Sequence, residues 1–214
     1  MRRLSLLCLI ALALLAAAAG PASAHPHVWV TVKSELVYAP DGTLTAVKHH
    51  WTFDEMFSTF ATQGLDTNND GKLSREELQS LAEVNVSSLK EFGYFTHVKA
   101  DGKRFPITDP KDYWLDFENG ALTLNFTLPL KTPAKGKTVE VEVYDATYFV
   151  DFTLAKDAPV SLASAPAECK LNTFAPGEAK KPAGQPLDES FFNALTPGSN
   201  FGAQFANKIL VNCP

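Results

Sequence analysis

The stretch VWVTVKSELVYAPDGTLTAVKHHWTF, residues 28–53, predicts a β-hairpin around which the rest of the chain can be placed. Apolar and polar residues alternate from Val28 to Lys33, which is the period of a half-buried strand. Pro40-Asp41-Gly42 predicts a turn, because proline presets φ and glycine accepts a left-handed backbone. A return strand from Leu44 to Phe53 completes the hairpin and is expected to place His49 opposite Lys33.

Further segments of β character follow, each bounded by turn residues. They run over residues 94–100, 104–107, 113–117, 122–128, 139–144 and 147–154. Asn119-Gly120 supplies a hairpin turn between two of them. This spacing predicts an α+β protein, mainly an antiparallel β-sandwich or rolled sheet, with a helical insertion between the second and third strands.

The insertion carries DTNNDGKLSREE at residues 66–77, which matches the twelve-residue calcium loop of an EF-hand. The residues expected to hold Ca²⁺ are Asp66, Asn68, Asp70, Lys72 through its backbone carbonyl, Ser74 through a water, and Glu77. Gly71 lies at the sixth position, where the sharp turn demands a positive φ. Apolar residues at helical spacing flank the loop: Met56, Phe57, Phe60 and Ala61 before it, and Leu78, Leu81, Ala82 and Leu89 after it. The alternative is an Asx-rich surface turn that binds no metal.

The amino terminus has the pattern of a secretory signal. Arg2 and Arg3 precede an apolar run over residues 4–19, and Ala22-Ser23-Ala24 is a small-residue cleavage site. The run is too short for a membrane anchor, and no later segment is long and apolar enough to span a bilayer. The sequence therefore predicts an exported protein, periplasmic in a Gram-negative bacterium, that begins at His25.

Charge and cysteine content limit the possible functions. Removal of two arginines leaves 17 basic residues (19 − 2) against 24 acidic ones, a net charge of about −7. Such an acidic exported chain is a poor candidate for nucleic-acid binding. Cys169 and Cys213 remain after cleavage and are expected to form a disulfide in an oxidising compartment, with a thiolate metal site as the alternative.

Composition divides the chain into four parts. The predicted organisation is a signal peptide over 1–24, a β domain over 25–158 with the EF-hand insertion at about 55–91, a Pro- and Ala-rich tether over 159–190, and an apolar segment over 191–214 that docks on the body.

Histidines supply a second candidate metal site. A chain that opens His25-Pro26-His27 offers an amine and two imidazoles to zinc, copper or nickel. Pro26 has no N–H to lose, which disfavours the amino-terminal chelate that uses a third-position histidine. The expected ligands are His25, His27 and Asp54, with His49 added only if the strand order folds it back. The alternatives are an ordinary exposed terminus and, for His49, a hydrogen-bonded core histidine.

Several segments together carry a resemblance to a known family. They are HPHVWV at 25–30, HHWTFDEMFS at 49–58, the EF-hand loop, KDYWLDF at 111–117, LNFTLPL at 124–130 and EVYDATYFVDF at 142–152. Over residues 25 to about 155, and more loosely to the closing NCP, the chain resembles an uncharacterised family of exported bacterial proteins described as the periplasmic component of a transport system. The resemblance implies association with a nickel/cobalt-type membrane permease and the handling of divalent metal, zinc included. Its H-P-H motif matches His25 and His27, and its W-x-F-D motif matches Trp51, Phe53 and Asp54.

Taken together, these features predict an exported metal-binding accessory protein that captures zinc, nickel or cobalt for a membrane permease and holds a structural Ca²⁺. One alternative is a calcium-stabilised periplasmic interaction module without a transition metal. Another is an N-terminal-histidine copper or zinc enzyme. Because no G-x-S-x-G or H-E-x-x-H motif is present, the sequence predicts that the protein is not an enzyme.

Overall fold

The hairpin of residues 28–53 lies inside the larger of two sheets in the computed structural model, which describes residues 26–176 and 200–214. Strands β1 (Val28–Tyr38) and β2 (Leu44–Phe53) pair antiparallel. His49 lies opposite Ser34, and Lys33 lies opposite His50. The expected pairing of Lys33 with His49 is wrong by one residue, because the register shifts between Val37 and Tyr38, close to the turn.

Nine further strands lie in the described part of the chain. They are β3 (Thr96–Ala100), β4 (Lys103–Phe105), β5 (Lys111–Glu118), β6 (Ala121–Ala134), β7 (Thr138–Val143), β8 (Val150–Leu154), β9 (Val160–Ala163), β10 (Lys170–Phe174) and β11 (Asn207–Asn212). The larger sheet has the order β5-β6-β2-β1-β8, with β9 also paired to β1, and the smaller has the order β10-β11-β7-β3-β4. Pairing is antiparallel except where β1 meets β8 and β9. The α+β class predicted from the sequence is confirmed.

The two sheets share a common apolar core. One cluster of buried side chains combines Val30 and Trp51 of the larger sheet with Val143 of the smaller. A second combines Leu36 of the larger sheet with Ile209 of the smaller. Because each cluster draws on both sheets, the strands expose one face to the core and the other to solvent, as their alternating burial requires.

The insertion between β2 and β3 contains helix α1 (Glu55–Ala61), helix α2 (Arg75–Leu89) and a 3-10 helix (Lys90–Phe95). Helix α2 packs on β5 through the stripe that the sequence predicted, with Leu78 and Ala82 fully buried. Only half of the apolar residues of α1 face the core. Phe57 and Ala61 pack against it, whereas Met56 and Phe60 are 69% and 74% exposed.

The carboxyl-terminal third contains more sheet than the sequence indicated. Strands β9 and β10 lie within the segment predicted as a tether over 159–190, because two short strands leave little alternation to recognise. Strand β11 pairs with both β10 and β7, so the end of the chain is an inner strand. Phe191, Phe192 and Leu195, predicted to dock on the body, lie outside the described residues.

Cys169 and Cys213 form the predicted disulfide. It joins the segment before β10 to the residue after β11. None of the helices described by the structure has the length and apolarity needed to cross a membrane. The predicted signal peptide, 1–24, falls outside the described residues.

Candidate functional site

The predicted calcium loop lies on the surface between α1 and α2. Gly71 has φ +77°, which is the left-handed conformation expected at the sixth position. A Cβ added there would meet no atom within 4 Å, so the demand for glycine is conformational and not steric. Asn69 is also left-handed, with φ 58°, in a residue type that tolerates this region. The backbone therefore makes the sharp turn that the loop pattern requires.

The side chains at the first, third and fifth positions hold the loop in shape. The two carboxylate oxygens of Asp66 accept the amides of Asp70 at 3.2 Å and Gly71 at 3.0 Å. The Oδ1 atom of Asn68 also accepts the Asp70 amide, at 2.8 Å. Oδ1 of Asp70 accepts the amide of Lys72 at 2.8 Å. The chain thus winds around these oxygens, which places them toward the inside of the loop.

Glu77 connects the two ends of the loop. With Ser74 it forms a capping box at the start of α2, where its Oε2 accepts the Ser74 amide at 3.0 Å. Its Oε1 accepts the amide and the hydroxyl of Thr67, at 2.9 and 3.0 Å. Hydrogen bonds from Ser74, followed by those from Thr67, lower the pKa of Glu77 to about 2. Glu77 is therefore ionised throughout the neutral and mildly acidic range.

The loop brings three carboxylates and one amide oxygen into a single exposed turn. Carboxylate and amide oxygens are the ligands that Ca²⁺ prefers. In the structure the loop oxygens accept hydrogen bonds from loop N–H and hydroxyl groups. Within residues 26–176 and 200–214, no three His, Cys, Asp or Glu side chains, those of the loop included, stand in an arrangement that could hold a metal ion as they are placed. Binding of Ca²⁺ would therefore require Asp66, Asp70 and Glu77 to exchange these hydrogen bonds for contacts with the ion.

The second candidate site is only partly assembled. His25 lies outside the described residues. His27 is exposed at the start of β1, where its amide donates to the carbonyl of Phe149 at 2.9 Å and its ring stacks on Phe149 with centroids 4.6 Å apart. Asp54 is the N-cap of α1. Its Oδ1 accepts a hydrogen bond from the amide of Phe57 at 2.8 Å, and its Oδ2 accepts one from the amide of Trp29 at 3.0 Å. Both oxygens are therefore hydrogen-bonded to the backbone.

His49 lies elsewhere, fully buried between the two sheets. Its Nδ1 is 2.9 Å from the Ser34 hydroxyl and its Nε2 is 3.2 Å from the Thr96 hydroxyl. Burial, with a smaller contribution from the charge of His50, lowers its pKa to about 3. Both ring nitrogens are occupied, as in the core histidine that the sequence allowed as the alternative.

The strand register explains why His49 does not join the amino-terminal group. His49 pairs with Ser34, seven residues along β1 from His27 (34 − 27). At roughly 3.3 Å per residue the two positions are about 23 Å apart along the strand. The described residues therefore supply His27 and Asp54 near one end of β1, without His49.

One group of contacts next to the loop could not be predicted from the sequence. Arg75, which follows the loop's cap, donates from Nε to Asp116 of β5 at 2.7 Å, and its guanidinium lies 5.1 Å from the ring centroid of Trp114. Asp116 also accepts the Trp114 indole N–H at 2.9 Å and the Asn125 side-chain amide at 3.0 Å. Arg75 is 41 residues from Asp116 along the chain, so only the fold brings it to this group.

Comparison with known proteins matches the chain to one family profile and to two uncharacterised proteins. A family profile described as protein of unknown function (DUF1007) matches residues 10–213. An uncharacterised protein of Haemophilus influenzae is 25% identical over 196 residues, which cover 89% of this chain and 91% of that protein. An uncharacterised 15.5 kDa protein of Spirochaeta aurantia is 33% identical over 98 residues, which cover 45% of this chain and 70% of that protein.

Proposed function

We propose that this chain, which belongs to the DUF1007 family of proteins of unknown function, is an exported calcium-binding protein in which one Ca²⁺ in the loop Asp66–Glu77 fixes the helical insertion on the β-sandwich. The observation that carries the proposal is the conformation of the loop. Gly71 takes the required positive φ, while Asp66, Asn68 and Asp70 each accept amides from further along the same turn.

The position of the loop suggests a clamp more than a sensor. Helix α2 begins at Arg75, inside the twelve-residue pattern, so an ion held there would fix the start of α2 relative to the end of α1. EF-hands usually pair with a second EF-hand, but α2 packs on strand β5. A helix already docked on a sheet has little freedom to open. Affinity in the range of extracellular modules, roughly 10⁻⁴ to 10⁻³ M, would suit this role.

Export to an oxidising compartment, the periplasm of a Gram-negative bacterium, is part of the proposal. The disulfide Cys169–Cys213 supports it, because such bonds persist outside the reducing cytosol. The amino-terminal pattern of two arginines, an apolar run and Ala22-Ser23-Ala24 supports it as well.

Calorimetric titration of the chelator-stripped mature protein with CaCl₂ tests the proposal. We expect one ion per chain, with a rise in melting temperature as Ca²⁺ increases, because an ion that binds only the folded state stabilises it. Asp70→Ala should abolish both effects. Asp157→Ala, an exposed acid outside the loop, is the matched control and should leave them unchanged. If the parent shows neither heat nor stabilisation at roughly 10 mM Ca²⁺, ten times the weakest expected dissociation constant, the loop is not a calcium site.

A second candidate function is the delivery of zinc, nickel or cobalt to a nickel/cobalt-type permease. The observation that favours it is the fixed position of His27, whose ring is stacked on Phe149 at the surface beside the expected new terminus at His25. The geometry leaves His49 out of this site, so the ligands would be the His25 amine and imidazole with His27 and Asp54. Because protons compete for imidazole, capture should weaken below about pH 6.

Native mass spectrometry of the exported protein, purified without chelators, distinguishes the two functions. One Ca²⁺ together with one transition ion on a chain that starts at His25 would support delivery, and His27→Ala should then remove most of the zinc affinity. Ca²⁺ alone, or overlaying zinc titrations of His27→Ala and the parent, would leave only the calcium-stabilised module. The absence of enzyme activity stays a prediction from the sequence.

A further inference from the structure

An apolar cleft of about 500 Å³ opens between the helical insertion and the core of the larger sheet. Its floor is formed by Trp51, Phe95 and Phe152, which are 1%, 6% and 2% exposed. The floor rings lie against one another, with 4.8 Å between the centroids of Trp51 and Phe152. The floor therefore belongs to the folded core.

The walls and the rim of the cleft are aromatic too. Phe53 of β2 and Phe57 of α1 stack at 4.7 Å and form one wall. Phe92 and Phe149 stand on the rim and are 47% and 46% exposed. Half-exposed phenylalanines at the mouth of an apolar depression leave apolar surface in water, which ligand burial would remove.

The described residues that line the cleft offer no free charge to a ligand. Asp145 is the one ionisable side chain among the described lining residues. Both of its carboxylate oxygens accept hydrogen bonds from residues of the same loop. Oδ1 accepts the amide and the hydroxyl of Thr147, at 2.8 and 2.9 Å. Oδ2 accepts the amides of Phe149 and Val150, each at 3.0 Å. A buried charge on a ligand would find no partner here and would cost free energy to desolvate.

We propose that this cleft binds an uncharged apolar organic ligand of small-molecule size. The volume lies within the 300 to 1,000 Å³ typical of ligand pockets. Aromatic floor, walls and rim favour a body that stacks, such as a fused or conjugated ring system. The inference goes beyond the calcium function and does not use it, since none of its lining residues belongs to the loop of residues 66–77.

The test is a fluorescence titration with N-phenyl-1-naphthylamine, an uncharged aromatic probe, on the full mature chain. Ser88 lies on the rim, on the exposed side of α2, so Ser88→Trp should block the cleft without disturbing the core. Ser87→Trp changes the neighbouring exposed residue, which does not line the cleft, and is the matched control. We expect one probe per parent chain, at least tenfold weaker binding to Ser88→Trp, and unchanged binding to Ser87→Trp.

Three results would overturn the proposal. The first is that the parent shows no saturable binding of the probe. The second is that the parent and Ser88→Trp bind the probe equally when circular dichroism shows both to be folded. The third is that the parent binds the probe and naphthalene-1-carboxylate, which carries a charge, with equal affinity. The titration is run both with Ca²⁺ and with a chelator. If the protein does not bind calcium, probe binding in the presence of the chelator still tests the cleft, so each proposal can be rejected without the other.

Discussion

At the scale of single residues, polar side chains that the sequence marks as candidate ligands are used to hold the fold. His49 bonds two hydroxyls inside the core, and Asp54 joins the start of α1 to β1 through two backbone amides. Each loses its hydrogen-bond partners when the chain unfolds. Their contributions to stability can therefore be measured apart from any metal.

His49 should make the protein less stable in mild acid. Its pKa is about 3 in the folded state against an ordinary 6.5, so below pH 6.5 the unfolded chain binds more protons. Its contribution is fully present above pH 6.5 and is lost as pH falls toward 3, by at most about 1.4 kcal/mol per pH unit. Between pH 7 and pH 5, the free energy of unfolding measured by urea denaturation should fall less for His49→Gln than for the parent. An equal drop in the parent and in His49→Gln would contradict the assignment.

Substitutions at Asp54 can distinguish its role as the N-cap of α1 from a role as a metal ligand. Asp54→Ala removes the acceptor of the Phe57 and Trp29 amides and should cost about 1 kcal/mol of unfolding free energy. Asp54→Asn keeps an N-cap oxygen for the Phe57 amide but places an NH₂ group opposite the Trp29 amide, so it should lose less than Asp54→Ala without keeping the full stability of the parent. Chemical denaturation measures both. Equal losses would mean that the oxygen kept as the cap contributes nothing, and a fall in zinc affinity in both variants, the better-folded Asp54→Asn included, would favour the metal site.

At the scale of elements, α2 carries the loop and is anchored at both ends. Arg75 binds Asp116 at the loop end, and Lys90 binds Asp109 at 2.7 Å at the other. The loop-end pair is less exposed on its acidic side, with Asp116 30% exposed against 63% for Asp109. The guanidinium of Arg75 also lies over the ring of Trp114. Anchoring of α2 should therefore matter most where the predicted calcium loop ends.

Arg75→Ala should weaken calcium binding, provided that the loop binds calcium as proposed. Its side chain is 62% exposed, so we expect an effect of about 0.5 kcal/mol, or roughly a twofold rise in the dissociation constant. Lys90→Ala removes a pair at the far end of the same helix and serves as the control. Calcium titration of the two variants and the parent provides the comparison. An equal effect of both substitutions would assign the change to general loss of helix stability.

At the scale of the whole molecule, the smaller sheet is completed by the end of the chain. Strand β11 lies between β7 and β10, and its Ile209 and Val211 are fully buried. The disulfide Cys169–Cys213 spans 44 residues and joins this strand to the approach to β10. Closing so long a loop in the unfolded chain removes much of its conformational freedom.

The double variant Cys169→Ser, Cys213→Ser should lose about 3–4 kcal/mol of unfolding free energy, because the cross-link restricts the unfolded chain. Urea denaturation with and without reductant measures the loss. Reductant should bring the parent to the stability of the variant and leave the variant itself unchanged, which is the internal control. A difference below about 0.5 kcal/mol would show that the sheet holds β11 without the bond.

The sequence by itself determined what depends on neighbours along the chain. The alternation from Val28 to Lys33 and the turn at Asp41-Gly42 depend on local backbone preferences, and each predicted the element that forms. The twelve-residue loop pattern predicted the left-handed backbone of Gly71, while calcium binding stays a prediction. The disulfide followed from the two cysteines that remain outside the predicted signal, since no other pairing was available.

Tertiary structure decided everything that depends on pairing between distant segments. It set the one-residue shift of β1 against β2, the parallel placement of β8 and β9 beside β1, and the use of β11 as an inner strand. The same pairings put His49 between Ser34 and Thr96 and gathered the aromatic rings around the cleft. No local pattern encodes these contacts, because strand register and order are fixed only when two sheets bury their apolar faces against each other.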